Sequence, residues 1–193
     1  PEDSVDSIGK TVQDMYRISC AGGGVGFNVS KIRPKGDHIG AVLNSAPGSV
    51  SVLKMINEVG EHVRAGKNRR TALMGILNVT HPDLLEFLSV KLDKGQLNNF
   101  NISVAITERF LEAIELGEDW FFTFNNKEYH TYQLLRNGTD VVNVIAQDEE
   151  DALARGNNFH KEHFQDTFEM VGQKDIKARE LWDLIWKNSV ESG

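Results

Sequence analysis

Apolar residues along this chain switch repeatedly between helical spacing and a period of two, and that alternation constrains the fold more than any other feature of the sequence. Val5, Ile8, Val12 and Met15 share one helical face, with Asp3 or Ser4 available as N-cap, so a helix is expected over residues 4–19. Gly22, Gly23 and Gly24 end it. Val25, Phe27 and Val29 then alternate with Gly26, Asn28 and Ser30, a strand pattern reaching Ile32. Residues 33–48 carry Pro34, Gly36, Gly40, Pro47 and Gly48 without periodicity, which is long for a passive connector and marks a candidate binding loop. Helical spacing returns at Val50, Leu53, Ile56, Val59 and Val63, with Gly66 as the expected stop.

Residues 72–79 read as a buried strand, and His81-Pro82-Asp83 opens a short helix with proline in its first turn. Residues 101–106 read as a further strand, after which Thr107 caps a helix bearing Phe110, Leu111 and Ile114. A strand is expected at 120–124, whereas 125–158 mixes Tyr129, Tyr132 and Leu134 with the apolar run 141–145 and admits no single reading. Ile176, Leu181, Leu184 and Ile185 form the stripe of a last helix over 175–189. No repeat or linker divides the sequence, so residues 1–193 are expected to form one α/β domain, its alternation favouring parallel strands in an open sheet or a barrel.

With 193 residues, 40% of them apolar and 25% charged, the chain has room for one well-buried domain or two small ones. Its net charge of −7 argues against general nucleic-acid binding, and no apolar run approaches the roughly 20 residues of a membrane span. A signal-peptide pattern is absent from the first residues, and one cysteine, Cys20, suits a reducing compartment, so a soluble cytoplasmic protein is expected.

The glycine run at 22–26 lets a backbone approach a ligand or, equally, serves as a packing turn. A dinucleotide fingerprint fails there, since Phe27 and Val29 stand where a third glycine is needed and the run precedes its strand. A phosphate-loop reading of Gly66-Lys67 fails too, because Gly60 is misplaced and Asn68 replaces the magnesium-holding hydroxyl. Two cationic clusters remain in an acidic chain: Lys31, Arg33 and Lys35 around Pro34, and Arg64, Lys67, Arg69 and Arg70. Each is either a phosphate contact or a solvated surface. His160 and His163 have metal-ligand spacing without a third ligand, so no metal site is assigned. His81 reads as a turn residue, residues 148–151 as a solvated acidic helix start, and Cys20 as a small buried residue.

Five segments, in order, resemble the catalytic subunit of ribonucleotide reductase. They are Gly22-Gly-Gly-Val-Gly-Phe-Asn-Val-Ser-Lys-Ile-Arg-Pro-Lys-Gly36, Ala65-Gly-Lys-Asn-Arg-Arg-Thr-Ala-Leu-Met-Gly75, His81-Pro-Asp-Leu-Leu-Glu-Phe87, Asn98-Asn-Phe-Asn-Ile-Ser-Val104 and Ala178-Arg-Glu-Leu-Trp-Asp-Leu-Ile185. The wording is nearest to adenosylcobalamin-dependent reductases and their iron-dependent relatives. The resemblance implies the N-terminal half of a ten-stranded α/β barrel. It implies that Gly23, Gly24 and Ala72 adjoin the ribonucleoside di- or triphosphate substrate. Asp3, Ser4, Val5 and Arg33 would contact a deoxynucleoside triphosphate effector with magnesium at a homodimer interface, and the loop of Lys67, Asn68, Arg69, Arg70 and Thr71 would carry specificity from effector to substrate.

The resemblance also implies a radical cofactor, adenosylcobalamin or a di-metal and tyrosyl radical in a separate subunit, and a reductant of thioredoxin or glutaredoxin type. Reduction at the ribose 2′ carbon requires a radical cysteine and a redox pair, and Cys20 matches none of these positions. One thiol cannot supply all three, so the chain alone is expected to be inactive and to need the remaining barrel segments. The alternative is a non-catalytic nucleotide-binding module built from the same barrel.

Overall fold

The computed structural model describes residues 1–40, 46–63, 71–91, 96–159 and 165–191. Helix α1 (Val5–Cys20) begins at Ser4, whose hydroxyl accepts a hydrogen bond from the Ser7 amide at 3.2 Å. Its end is set by the glycine run. Gly22, at φ +84°, donates to the Ser19 carbonyl and Gly23 to the Ile18 carbonyl, the paired bonds of a Schellman cap.

Strand β1 (Val25–Asn28) follows, shorter than the alternation predicts, although Val29 and Ile32 beyond it remain buried. Helix α2 (Gly48–His62) and helix α3 (Leu84–Ser89) alternate with strands β2 (Leu73–Asn78) and β3 (Phe100–Ala105). The three strands form a parallel sheet in the order β1-β2-β3, with Val25 opposite Leu73 and Leu73 opposite Phe100. Gly75 on β2 faces α2 so closely that a Cβ there would lie 3.2 Å from Leu53 Cδ1. Burying side chains such as Leu53, Ile56 and Phe100 contributes about 1.5–3 kcal/mol each. Pro82 precedes Asp83, the N-terminal cap position of α3, instead of lying in the first helical turn.

Beyond helix α4 (Glu108–Leu116), capped by Thr107 as expected, the parallel pattern stops. The segment read as one strand at 120–124 is two, β4 (Asp119–Trp120) and β5 (Phe122–Phe124). Strands β6 (Lys127–Arg136) and β7 (Asp140–Ala146) form an antiparallel hairpin, β5 pairs antiparallel with β6, and β8 (Phe168–Gln173) pairs with β6 as well. Helix α5 (Glu149–Phe159) packs on this sheet through Gly156, where a Cβ would lie 2.6 Å from Leu134 Cδ1. Strand β9 (Ile176–Lys177) pairs with β4 and places Ile176 outside the last helix, α6 (Ala178–Glu191).

One core joins both halves: Phe27, Leu53 and Leu77 from the parallel part share it with Trp120, Phe122, Tyr129, Leu181 and Ile185. The α/β class holds; the described strands form an open parallel sheet and two antiparallel sheets and close no barrel. Alternation favours a parallel arrangement, which holds for β1–β3; in the stretch that admits no single reading, hairpin turns make the sheet antiparallel. No helix among the described residues is long and apolar enough to cross a membrane.

Candidate functional site

The residues singled out by sequence gather at opposite ends of β1. Because α1 runs antiparallel to β1, its N-terminus returns to the end of the strand where the loop of residues 29–40 begins. There Arg33 Nε donates to Asp3 Oδ2 at 2.6 Å and Arg33 Nη1 to the His38 carbonyl at 2.7 Å. Ser4 caps the helix beside them, and Val5 is 89% exposed. Lys31 pairs with Glu2 and Lys35 with Glu86, so every cation of this first basic cluster has a carboxylate partner. The Asp3–Arg33 pair is about one-third exposed, so its Coulomb attraction alone contributes little. Its value is in fixing where the two side chains lie.

At the other end of β1, about 13 Å away for four strand residues, Gly23, Gly24 and Ala72 share an exposed patch. Ala72 accepts from the Val25 amide at 3.1 Å, and a Cβ on Gly24 would lie 3.2 Å from that same Ala72 carbonyl. A Cβ on Gly23 would meet Ile18 Cγ2 at 2.6 Å. The missing side chains are thus needed for packing against α1 and β2, and the Gly22 and Gly23 amides already serve the cap of α1. Thr71 is buried and donates to the Gly60 carbonyl at 3.0 Å, anchoring the exit of its loop. Arg64, Lys67, Asn68, Arg69 and Arg70, the stop at Gly66, and His160 and His163 lie outside the described residues. Cys20 is exposed at the end of α1 and not buried, because it sits one turn after exposed Tyr16, off the face that buries Met15 and Ser19.

Two clusters escaped the sequence reading. The first is a clasp around Asp83, which is 6% exposed. Its carboxylate accepts from the Lys35 amide at 2.9 Å and from the Ser49 amide and hydroxyl at 2.7 and 2.8 Å. An acid from the β2–α3 turn therefore caps α2, whose own N-cap, Pro47, supplies no side-chain bond. His81, 1% exposed, accepts the Asp83 amide on Nδ1, so its Nε2 carries the proton and donates to the Ile32 carbonyl at 2.9 Å. His81 is a turn residue, as expected, and it ties that turn to the loop after β1.

The second cluster is centred on Arg155 of α5, 5% exposed. Its guanidinium donates to Asp151 and Asp37, each at 2.8 Å, and to the Lys35 carbonyl. Tyr129 donates to the other Asp37 oxygen at 2.8 Å and lies beneath the guanidinium, 5.7 Å from its carbon to the ring centre. Burial, reinforced by Asp37, pushes the Tyr129 phenol well above its usual 10.0. Burial opposes the charge on Arg155, but the bonds and charges of Asp151 and Asp37 outweigh it and raise its pKa. Asp151 is therefore no solvated acid of a helix start; its spacing of four from Arg155 was the legible sign.

Among the described residues no group of three or more His, Cys, Asp or Glu is arranged to hold a metal. The cavity of about 460 Å³ between β3 and α6 has a mixed lining, apolar at Ile102, Trp182 and Trp186 and polar at Lys91, Asn101 and Asn188.

The family model described as ribonucleotide reductase, barrel domain, matches residues 1–193. The vitamin B12-dependent ribonucleoside-diphosphate reductase of Thermoplasma acidophilum is 40% identical over 192 residues, covering 97% of this chain and 20% of the relative. That of Mycobacterium tuberculosis strain H37Rv is 38% identical over 115 residues, 59% of this chain and 16% of the relative. The ribonucleoside-diphosphate reductase large chain of Cryptosporidium parvum is 25% identical over 198 residues, all of this chain and 22% of the relative. The chain thus spans about a fifth of the length of these relatives. A match over its whole length, together with a relative 40% identical over 97% of it, means that the chain belongs to the ribonucleotide reductase barrel-domain family.

Proposed function

We propose that this chain is the N-terminal segment of a ribonucleoside reductase barrel, a single partial domain that carries the effector site and one wall of the substrate site. The observation that supports this most directly is the Asp3–Arg33 contact, which joins the cap of α1 to the loop after β1 across 30 positions of sequence. An effector triphosphate would take the guanidinium from Asp3, since a phosphate offers it more anionic oxygens. Magnesium carried by the triphosphate would then give the Asp3 carboxylate a new partner. Ser4 and the exposed Val5 open the N-terminus of α1 to the same anion and to a second copy of the helix.

The exposed backbone at Gly23, Gly24 and Ala72 would face the ribonucleotide, taken as a diphosphate from the names of the relatives, with residues 67–71 as the connecting specificity loop. Replacing the 2′ hydroxyl by hydrogen consumes two electrons and releases water. A dithiol supplies those electrons, and this chain holds one thiol. Turnover therefore needs the remaining barrel segments, a radical source, adenosylcobalamin by analogy with the named relatives, and a thioredoxin-type reductant.

Calorimetric titration of the chain with each deoxynucleoside triphosphate and magnesium is expected to give saturable binding that Arg33→Ala and Asp3→Ala weaken. Absence of binding, or indifference to both substitutions, refutes the effector reading. The chain incubated with ribonucleotide, dithiol and adenosylcobalamin is expected to form no deoxynucleotide; stoichiometric product would overturn that part. A non-catalytic module would show the binding yet gain no activity when the flanking polypeptides are added.

A further inference from the structure

The loop after β1 is held by a side chain that lies more than a hundred residues later. Arg155 reaches from α5 to the Asp37 carboxylate and the Lys35 carbonyl, and Tyr129 from β6 holds the second Asp37 oxygen. Asp37 is itself the hinge of a tight turn: its amide donates to the Pro34 carbonyl at 3.1 Å and its carbonyl accepts from Ala46 at 2.9 Å. The next residue, His38, presents the carbonyl that receives Arg33 Nη1 at 2.7 Å. An unbroken line of contacts therefore runs from Arg155 through Asp37 and His38 to Arg33, and ends at Asp3.

We infer that Arg155 is a positioning residue for the effector site: by clamping Asp37 it fixes the turn that presents the Arg33 guanidinium to the effector phosphates. The inference rests on the effector reading given above. Without Arg155, the Asp37 carboxylate keeps, among the described residues, the Tyr129 hydroxyl as its side-chain donor and must draw toward water. The His38 carbonyl moves with it, and Arg33 loses one of its two anchors. A lysine at 155 would restore the charge but not the fork, because one ammonium cannot span Asp151, Asp37 and the Lys35 carbonyl together. The clamp also explains why a buried ionic cluster sits where the antiparallel sheet meets the parallel half: it makes the placement of the effector loop depend on the appended sheet.

The test is a double-mutant cycle on deoxynucleoside triphosphate affinity in the 193-residue chain, with thermal melts in parallel. Arg155→Met is expected to weaken binding about tenfold when Arg33 is present and to change it by less than about twofold in an Arg33→Ala background. Arg155→Lys should recover part of the loss. Tyr129→Phe, which removes one hydroxyl from Asp37 and keeps the ring, should weaken binding by about two- to threefold with the same dependence on Arg33, and it carries the cycle if Arg155→Met does not fold. Equal losses in both Arg33 backgrounds would mean a merely structural role and overturn the inference. So would wild-type affinity in both the Arg155 and Tyr129 variants while Arg33→Ala binds weakly. If Arg33→Ala itself binds like wild type, the effector reading fails first and the inference falls with it.

Discussion

Gly48 lies hard against the carboxylate of Asp83: a Cβ at position 48 would stand 2.8 Å from Asp83 Oδ2 and 3.0 Å from the Lys35 amide nitrogen. The backbone there is also left-handed, at φ +83°. Both conditions admit only glycine, and both arise because the clasp draws the start of α2 onto the β2–α3 turn. Gly48→Ala is expected to lower stability by about 2–4 kcal/mol, the sum of a strained backbone and a forced displacement. Urea unfolding followed by circular dichroism measures it, and a loss below about 0.5 kcal/mol would mean that the turn yields freely.

Asp83 should then matter through the donors it satisfies. Asp83→Ala takes the acceptor from the buried Ser49 amide and from the part-buried Lys35 amide, at an expected cost of about 1–3 kcal/mol. Asp83→Asn keeps one oxygen for Lys35 and turns a donor toward Ser49, so its cost is expected to be smaller. Hydrogen exchange separates this local role from general loss of stability: the Ser49 amide at the first turn of α2 is expected to exchange faster than the middle of the same helix in either variant.

Such contacts explain how much of the molecule could be read in advance. The cap at Ser4, the glycine stop, the helical stripes and the three parallel strands were legible because each rests on neighbours in sequence. The antiparallel half was not recognised, although Asn125 and Asn126, at φ +49° and +62°, make the two-residue turn that pairs Phe124 with Lys127, and Asn137-Gly138 turns β6 into β7. Weighing those turn residues above the mixed apolar pattern of 125–158 would have found the hairpins. Asp3 with Arg33 and Gly24 with Ala72 could be brought together only through the resemblance, since nothing local in either segment points to the other. Of the Arg155 cluster only the Asp151 partner, four positions away, was legible; Asp37 and Lys35 are 118 and 120 positions away, and charge patterning along the chain cannot register such a distance.

The same cluster predicts an alkaline limit to stability. Burial first, and the Asp37 carboxylate second, raise the Tyr129 phenol above its value in the unfolded chain, so the folded state holds that proton more tightly. The stabilisation is complete below the unfolded value of 10.0 and is lost as pH rises past it toward the folded value. Tyr132 is raised as well, chiefly by burial and then by the charge of Asp148, and acts in the same direction. Thermal melts at rising alkaline pH are expected to show a falling midpoint for the wild type and a shallower fall for Tyr129→Phe, which has no phenol to ionise there. Parallel slopes for the two proteins would exclude Tyr129 as a source of the effect.

Cys20 provides the last test, because it joins an observation of exposure to an argument about chemistry. The thiol is the only one in the chain and stands exposed at the end of α1, so an aromatic disulfide reagent is expected to titrate one equivalent in the native protein nearly as fast as in denaturant. Cys20→Ser is expected to change stability by less than about 0.5 kcal/mol, since no buried contact is lost. An exposed single thiol can form a disulfide only with another molecule. Without reductant the chain is therefore expected to form a covalent dimer that dithiothreitol dissolves and that is absent from Cys20→Ser. If this thiol were the electron source for a two-electron reduction, two chains would have to pair, and without added dithiol the initial rate would fall with the square of protein concentration on dilution; a first-order dependence would show that the electrons come from elsewhere.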